Sequence, residues 1–171
     1  MALSKIDAAN FLTGTIPQGN VANSSLGAVT ALPGAIATGK VLQVVQGSNS
    51  TQMSTTSSSL VDTGLTASIT PSSSSNKILI IVDAQGQFPA NTGFGNAIIR
   101  GSTAIFQTNN YSNYDSTATQ TNTRASYCYL DSPSTTSSTA YKLQVHAYNP
   151  GTIIQNDGNN KTTMTLMEIE A

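Results

Sequence analysis

Charged residues are what this sequence has least of. Asp, Glu, Lys and Arg make up only 9% of the chain, compared with roughly 25% in a typical soluble domain. The seven basic residues are scattered singly between Lys5 and Lys161, so no basic stripe exists to displace counterions from a nucleic acid or to hold an anionic membrane surface. We therefore expect neither nucleic acid nor an anionic membrane among the partners of this protein.

Cysteine, histidine and long apolar stretches are also scarce. Cys128 is the only cysteine, which excludes an intrachain disulfide and a cysteine zinc cluster, and we expect a small buried side chain there. His146 is the only histidine, and we expect it to be exposed because it lies on the polar side of an alternating strand. No run of 18 apolar residues is present, and Met1 leads into no long apolar region. We therefore expect no membrane insertion and no cleaved signal peptide.

No motif gathers catalytic or ligand-binding residues. A site using Cys128 and His146 lacks a glycine-framed nucleophile, and the aspartates are isolated in the sequence. The segment Asp157-Gly158-Asn159-Asn160 offers oxygen ligands but lacks the later bidentate acid of a calcium loop, so a tight turn is the better interpretation. We predict that the protein is not an enzyme and has no catalytic residues, no cofactor and no metal.

What the chain has instead is Ser (22), Thr (24) and Asn (15). Ser and Asn side chains compete with helical backbone hydrogen bonds, whereas Thr suits a pleated sheet. Tyr141, Leu143 and Val145 alternate with polar residues, as in a strand with one buried face. Eight to ten such strands, separated by turn residues at short intervals, fill residues 40–171. This pattern predicts an all-β antiparallel sandwich of the jelly-roll type.

The segment 96–107 predicts a tight hairpin, and the polar segment after it predicts a long loop. Gly101-Ser102 forms the two-residue turn of the hairpin, with Gly first as in a type II′ turn. Residues 108–124 form the loop, which is rich in the Tyr and Asn side chains found at recognition surfaces. The loop is either an ordinary polar connection or a receptor-binding loop. In the second case its candidate contact residues are Asn109, Tyr111, Asn113 and Tyr114.

The most apolar strand predicts contact between subunits. A strand of an antiparallel sandwich normally alternates because one of its faces meets water, but residues 78–82 read Ile-Leu-Ile-Ile-Val without alternation. The face turned away from the core therefore needs a cover. The cover is either a second copy of the chain or the N-terminal segment or a long loop of the same chain. For the first alternative, the predicted interface residues are Ile78, Ile80, Ile81 and Val82.

Residues 1–39 differ in pattern from the rest of the chain. Apolar residues recur every three to six positions, with neither a helical nor a strand period, and glycine and proline interrupt them. Such a segment is either a disordered tail or an arm that becomes ordered on a partner. The regular spacing of the apolar residues favours the arm. Its predicted anchoring residues are Ile6, Phe11, Leu12, Ile16, Val21 and Leu26.

Four blocks of residues 39–171, in this order, resemble a known family. They are GKVLQVV (39–45), LTASITPSSSSNKILI (65–80), YLDSP with AYKLQV (129–133 and 140–145), and MTLMEI (164–169). They are similar to the C-terminal domains of phage structural proteins of the cyanophage and marine-phage type. Residues 10–17 resemble spacer segments of phage tail fibres. The resemblance implies a virion fibre or decoration protein that is a homotrimer, with a jelly-roll knob like those of tumour necrosis factor and complement.

These features together predict a structural protein of a tailed-phage virion. It would be made in the host cytoplasm and exposed on the virion surface, with the knob (40–171) held by the anchoring arm (1–39). The arm is too short for a host-reaching fibre, so attachment to the capsid and attachment to the tail both remain open. The alternative function is a tail adhesin that binds a host-surface glycan.

Overall fold

A computed structural model describes residues 40–149 and 151–171. The predicted anchoring residues Ile6, Phe11, Leu12, Ile16, Val21 and Leu26 lie outside the described residues, so the arm remains a prediction. Eleven strands account for most of the described chain. They are β1 (Val41–Asn49), β2 (Met53–Thr55), β3 (Val61–Ile69), β4 (Lys77–Pro89), β5 (Thr92–Arg100), β6 (Thr103–Gln107), β7 (Asn113–Asp115), β8 (Gln120–Asp131), β9 (Thr139–Tyr148), β10 (Ile153–Gln155) and β11 (Thr162–Ile169).

The strands form two antiparallel sheets. The first sheet has the order β1-β11-β4-β8, and β10 and β2 extend it alongside the second half of β4. The second sheet has the order β3-β9-β5-β6, and β7 pairs with β5 beyond the end of β6. If the eight principal strands are counted along the chain, the sheets run 1-8-3-6 and 2-7-4-5. This is the strand order of a jelly roll, and the predicted fold class is confirmed.

The core lies between the sheets because each strand turns alternate side chains inward. On β4 the inward residues Ile78, Ile80 and Val82 have no solvent exposure, and on β9 the same holds for Tyr141 and Leu143. Both sheets therefore contribute large side chains to one continuous apolar layer. The predicted hairpin is present as β5–β6, with Gly101 at a φ of 60°, as its turn requires.

A buried carboxylate links the two sheets at one end of the sandwich. Asp131 of β8 is 5% exposed. Its two carboxylate oxygens accept hydrogen bonds from Arg100 Nη1 of β5 at 2.8 and 2.9 Å, and Oδ2 also accepts one from the Tyr141 hydroxyl of β9 at 2.7 Å. Burial and the nearby carboxylate raise the pKa of the Tyr141 hydroxyl, so this hydroxyl stays a donor at neutral pH.

A second buried carboxylate ties the last strand to the loop between β3 and β4. Glu168 of β11 has no solvent exposure. Its oxygens accept hydrogen bonds from Asn76 Nδ2 and Gln43 Nε2, both at 2.6 Å, and from the backbone N–H and the hydroxyl of Ser72, both at 2.7 Å. Burial alone raises the pKa of a carboxyl group, but the hydrogen bonds from Asn76, Gln43 and Ser72 outweigh it and lower the pKa of Glu168 to about 2.

Glu168 should make the stability of the fold depend on pH. Because the folded pKa lies below the ordinary value of 4.5, the carboxylate contributes its full stability above pH 4.5 and loses it as the pH falls towards about 2. We expect Glu168→Gln to lower the free energy of unfolding at pH 7, and we expect the difference from wild type to shrink between pH 4.5 and pH 2.5. Urea denaturation across this pH range measures both effects. Glu170→Gln, which changes an exposed pair with Lys40 at 3.7 Å, is the matched control, and an equal difference at all pH values would contradict the prediction.

Candidate functional site

The outer face of the first sheet is apolar at one end. The strand register places Val44 of β1 beside Met167 of β11, Met167 beside Leu79 of β4, and Leu79 beside Leu130 of β8, in one row across four strands. Val44 is 57% exposed and Leu130 is 48% exposed. We use the name outer apolar face for the outward apolar side chains at this end of the sheet, which are Val44, Leu79, Ile81, Leu130, Met167 and Ile169. The exposed Lys77 of β4 lies at its margin, beside Ile169.

The other end of the same face is polar. On β1 the outward residues beyond Val44 are Gln46 and Ser48. Their neighbours on the antiparallel strand β11 are Thr165 and Thr163. The outer apolar face therefore adjoins a polar surface on the same strands. Contacts between proteins usually combine an apolar patch with adjoining polar surface.

The structure corrects the predicted interface residues on β4. Ile78, Ile80 and Val82 have no solvent exposure and face the core of their own chain, so their assignment to a subunit interface is wrong. Ile81 is 39% exposed and does lie on the outer face. The strand is regular, and its alternation was hidden because both of its faces are apolar. The prediction also missed Leu79, which is half-buried on the outer face.

The predicted receptor loop contains two exposed tyrosines. Tyr111 is 44% exposed, Tyr114 is 38% exposed, and Asn109 is exposed beside them. Asn113 is different, because its side chain turns into the sandwich and its Nδ2 donates a hydrogen bond to Thr123 Oγ1 at 3.0 Å. A receptor contact by Asn113 stays a prediction, although its side chain is half-buried and its amide nitrogen is already engaged within the chain. The short strand β7, which pairs with β5, imposes the alternation that turns Asn113 inward and Tyr114 outward.

A third tyrosine from a distant strand joins these two. Tyr148 of β9 lies 4.7 Å from Tyr111 and 5.9 Å from Tyr114, measured between ring centroids, and Tyr111 lies 5.1 Å from Tyr114. We call these three residues the tyrosine cluster. Gly93 of β5 pairs with Tyr114 on one side and with Tyr148 on the other. A Cβ atom at Gly93 would lie 2.2 Å from the carbonyl oxygen of Asn113, so the close approach of β7 to β5 requires a glycine there.

The carboxylate next to the tyrosine cluster is fully engaged by its own loop. Asp115 accepts hydrogen bonds from the backbone N–H groups of Thr117 and Ala118, at 2.8 and 3.0 Å, and from the Thr121 hydroxyl at 2.9 Å. These backbone hydrogen bonds, followed by the Thr121 hydroxyl, lower the pKa of Asp115 to about 2. The group is ionised at neutral pH and is held by the turn.

An open polar groove of about 540 Å³ lies near the start of β8. Its lining consists of Gln85, Asn122, Thr123, Arg124, Asp157, Gly158 and Asn160. Both charged groups are paired within the chain. Arg124 donates to the two carboxylate oxygens of Asp83 at 2.9 and 3.0 Å, and Asp157 accepts a hydrogen bond from Gln87 Nε2 at 2.8 Å. The groove therefore presents mainly amide and hydroxyl groups to solvent.

The only cysteine and the only histidine lie on opposite sides of the sandwich. Cys128 is exposed on the outer face of the first sheet, although a buried side chain was predicted. His146 lies on the outer face of the second sheet and is 6% exposed, although an exposed side chain was predicted. Its ring is covered by the loop after β6, with Nε2 3.2 Å from the carbonyl oxygen of Thr108. These positions keep the two side chains from acting on one substrate.

Residues 40–149 and 151–171 hold neither a metal-binding cluster nor a membrane-spanning helix. In this part of the chain, His, Cys, Asp and Glu side chains form no group of three or more able to hold a metal ion. The same residues contain no helix that is long and apolar enough to cross a membrane.

Comparisons with known proteins assign this chain to no family. No protein-family model matches the sequence, and no curated protein matches it either. Among solved structures, the chain is similar to one described as the structure of infectious bursal disease virus Gx strain, with 13% sequence identity and a TM-score of 0.49. The similarity covers 75% of this chain and 32% of that chain, so the chain spans about a third of the length of that structure. A likeness of this degree carries no argument about function.

Proposed function

We propose that this chain is a structural protein of a tailed-phage virion. In this proposal it forms a short homotrimeric fibre or decoration protein, docked on the tail or the capsid by residues 1–39 and exposing the jelly roll on the virion surface. The phage assignment rests on the resemblance of the four sequence blocks in residues 39–171. The proposal gives the protein no catalytic role.

The outer apolar face is the observation that supports assembly of several copies of the chain. Large exposed apolar patches on soluble proteins mark sites of contact with other molecules. The row from Val44 to Leu130 crosses four strands, or about 14 Å at about 4.8 Å between strands. Among the described residues, no strand or loop of the chain packs over this row. A closed symmetric oligomer covers the same face in every copy, so it leaves none of these apolar faces in water.

The proposed anchoring role of residues 1–39 is tested by deleting them. We expect the protein that begins at Lys40 to fold and to assemble, because every strand of the sandwich lies after that position. We also expect it to be missing from virions, whereas the full-length chain is incorporated. Quantitative immunoblotting of purified particles, produced with each version supplied in turn, measures the difference. Equal incorporation of the two versions would contradict an anchoring arm.

Receptor binding is a second candidate function, and the tyrosine cluster favours it. Two of the three rings are more than a third exposed, and they come from a loop and a strand next to a rigid sheet. Tyrosine supplies contact area at a low cost in conformational entropy and is enriched at recognition surfaces. This candidate is compatible with the structural role, because a protein on the virion surface can also contact the host.

A further inference from the structure

We infer that the tyrosine cluster is a binding site for an uncharged saccharide, with a pyranose ring stacked on the exposed face of Tyr111 and flanked by Tyr148. This inference rests on the second candidate function, receptor binding, and is independent of the assembly through the outer apolar face. It specifies both the ligand chemistry and the residues that carry it.

The spacing of the rings decides how a ligand can approach. The three centroid distances of 4.7, 5.1 and 5.9 Å mean that the rings touch one another, so no cavity remains between them for a cationic head group. Tyr111 contacts both of the other rings and is itself 44% exposed. A ligand therefore lies on the outside of the cluster, against a ring face. The C–H groups on one side of a pyranose form such an apolar surface, and an aromatic face accepts them.

The charge around the cluster favours an uncharged ligand. Asp115 is the nearest carboxylate in the sequence, and its oxygens are already engaged by Thr117, Ala118 and Thr121, so it offers little attraction to a cation. On β9, His146 lies two residues from Tyr148, but it is 6% exposed and the loop after β6 covers its ring. The next basic residue, Lys142, lies six residues or about 20 Å from Tyr148 and is paired with Asp62 at 3.5 Å. Sialic acids, uronic acids and phosphorylated sugars would find no basic side chain among these residues that is both exposed and unpaired.

Amide and hydroxyl groups around the cluster match the hydroxyls of a sugar. The exposed residues Asn109 and Asn110 precede Tyr111, and the exposed Asn149 follows Tyr148. The position of Asn149 is fixed, because its Nδ2 donates a hydrogen bond to the backbone carbonyl of Asn91 at 3.2 Å. Amides both donate and accept hydrogen bonds, as do sugar hydroxyls. The aromatic faces therefore match the C–H surface of a saccharide, and the neutral amides beside them match its hydroxyls.

The test is affinity electrophoresis of the full-length protein in gels that contain one polysaccharide each. The uncharged probes are dextran, galactan and mannan, and the anionic probes are alginate and polysialic acid. We expect at least one uncharged polymer to slow the protein and the anionic polymers to leave its mobility unchanged. We expect Tyr111→Leu and Tyr148→Leu each to weaken the binding about three- to tenfold, the effect of losing one aromatic contact. Tyr111→Phe keeps the ring and is the matched control, with binding within about twofold of wild type.

Each outcome bears on a different part of the inference. Binding to the anionic polymers alone would overturn the assignment to an uncharged ligand. Binding to an uncharged polymer that survives both leucine substitutions would overturn the site but keep receptor binding, and would direct attention to the polar groove at Arg124 and Asp157. If none of the polymers slows the protein, both the site and the second candidate function are rejected. Circular dichroism of each variant checks that the fold is intact.

Discussion

We expect Val44→Asp to convert the proposed assembly into a folded monomer. Val44 is 57% exposed in the single chain, so an aspartate there meets water in the monomer and leaves the fold unchanged. In the assembly the same carboxylate would be buried against apolar side chains without a partner, at a cost of several kcal/mol. Size-exclusion chromatography with light scattering at micromolar concentration measures the change in mass, and circular dichroism measures the fold.

Ser48→Asp is the matched control for Val44→Asp. It places the same charge on the same face of β1, four residues further on, where the surface is polar and Ser48 is exposed. We expect this variant to keep the mass of the wild type. Cys128 offers a second readout, because it lies on the same sheet face in the row next to Leu130. Alkylation of Cys128 should be slow in the wild type and fast in Val44→Asp. Equal alkylation rates together with equal masses would contradict an interface on this face.

Asp131→Ala removes the link between the two sheets and should lower the free energy of unfolding by about 3 kcal/mol. Breaking a buried charge pair by removing one partner costs about 3–5 kcal/mol. We expect the lower end of this range because the Arg100 side chain is 32% exposed, so water partly solvates it once the carboxylate is removed. The variant also leaves the hydroxyl of Tyr141, which has no solvent exposure, without its acceptor. Chemical denaturation at pH 7 measures the loss.

Asp62→Ala is the control for Asp131→Ala, because it also removes a carboxylate that pairs with a cation, in this case Lys142 of β9. The Asp62–Lys142 pair has a separation of 3.5 Å and both side chains are more than two-fifths exposed. Exposed pairs of this kind contribute less than about 1 kcal/mol. A loss for Asp131→Ala no larger than that for Asp62→Ala would show that the buried carboxylate does not hold the sheets together.

The fold could be predicted from the sequence because hydrophobic alternation and turn residues are local signals. Tyr141, Leu143 and Val145 point inward on β9 as predicted, and Gly101 turns the predicted hairpin. Local signals do not reveal every strand, because the structure shows the short strand β2 within the polar segment 51–59. Its three residues pair with β10, which lies a hundred residues away in the sequence. No local pattern predicts such a pairing.

The candidate sites were harder to predict because they depend on register between strands. Residues 78–82 are apolar on both faces, so the sequence did not show which side chains face the core, and three were assigned to the wrong face. Tyr148 was overlooked for a similar reason. Only the pairing of β9 and β7 on either side of Gly93 brings it to Tyr111 and Tyr114. The exposure of Cys128 follows from the same alternation on β8.

The mass of the full-length wild-type protein in solution tests the central claim most directly. The claim is that copies of this chain cover one another's outer apolar faces. Light scattering or native mass spectrometry at micromolar concentration should give three times the 17.7 kDa mass of one chain. A mass of two chains would keep the interface but contradict the trimer. A mass of 17.7 kDa with Cys128 shielded from alkylation would mean that the chain covers its own face, and would contradict the claim.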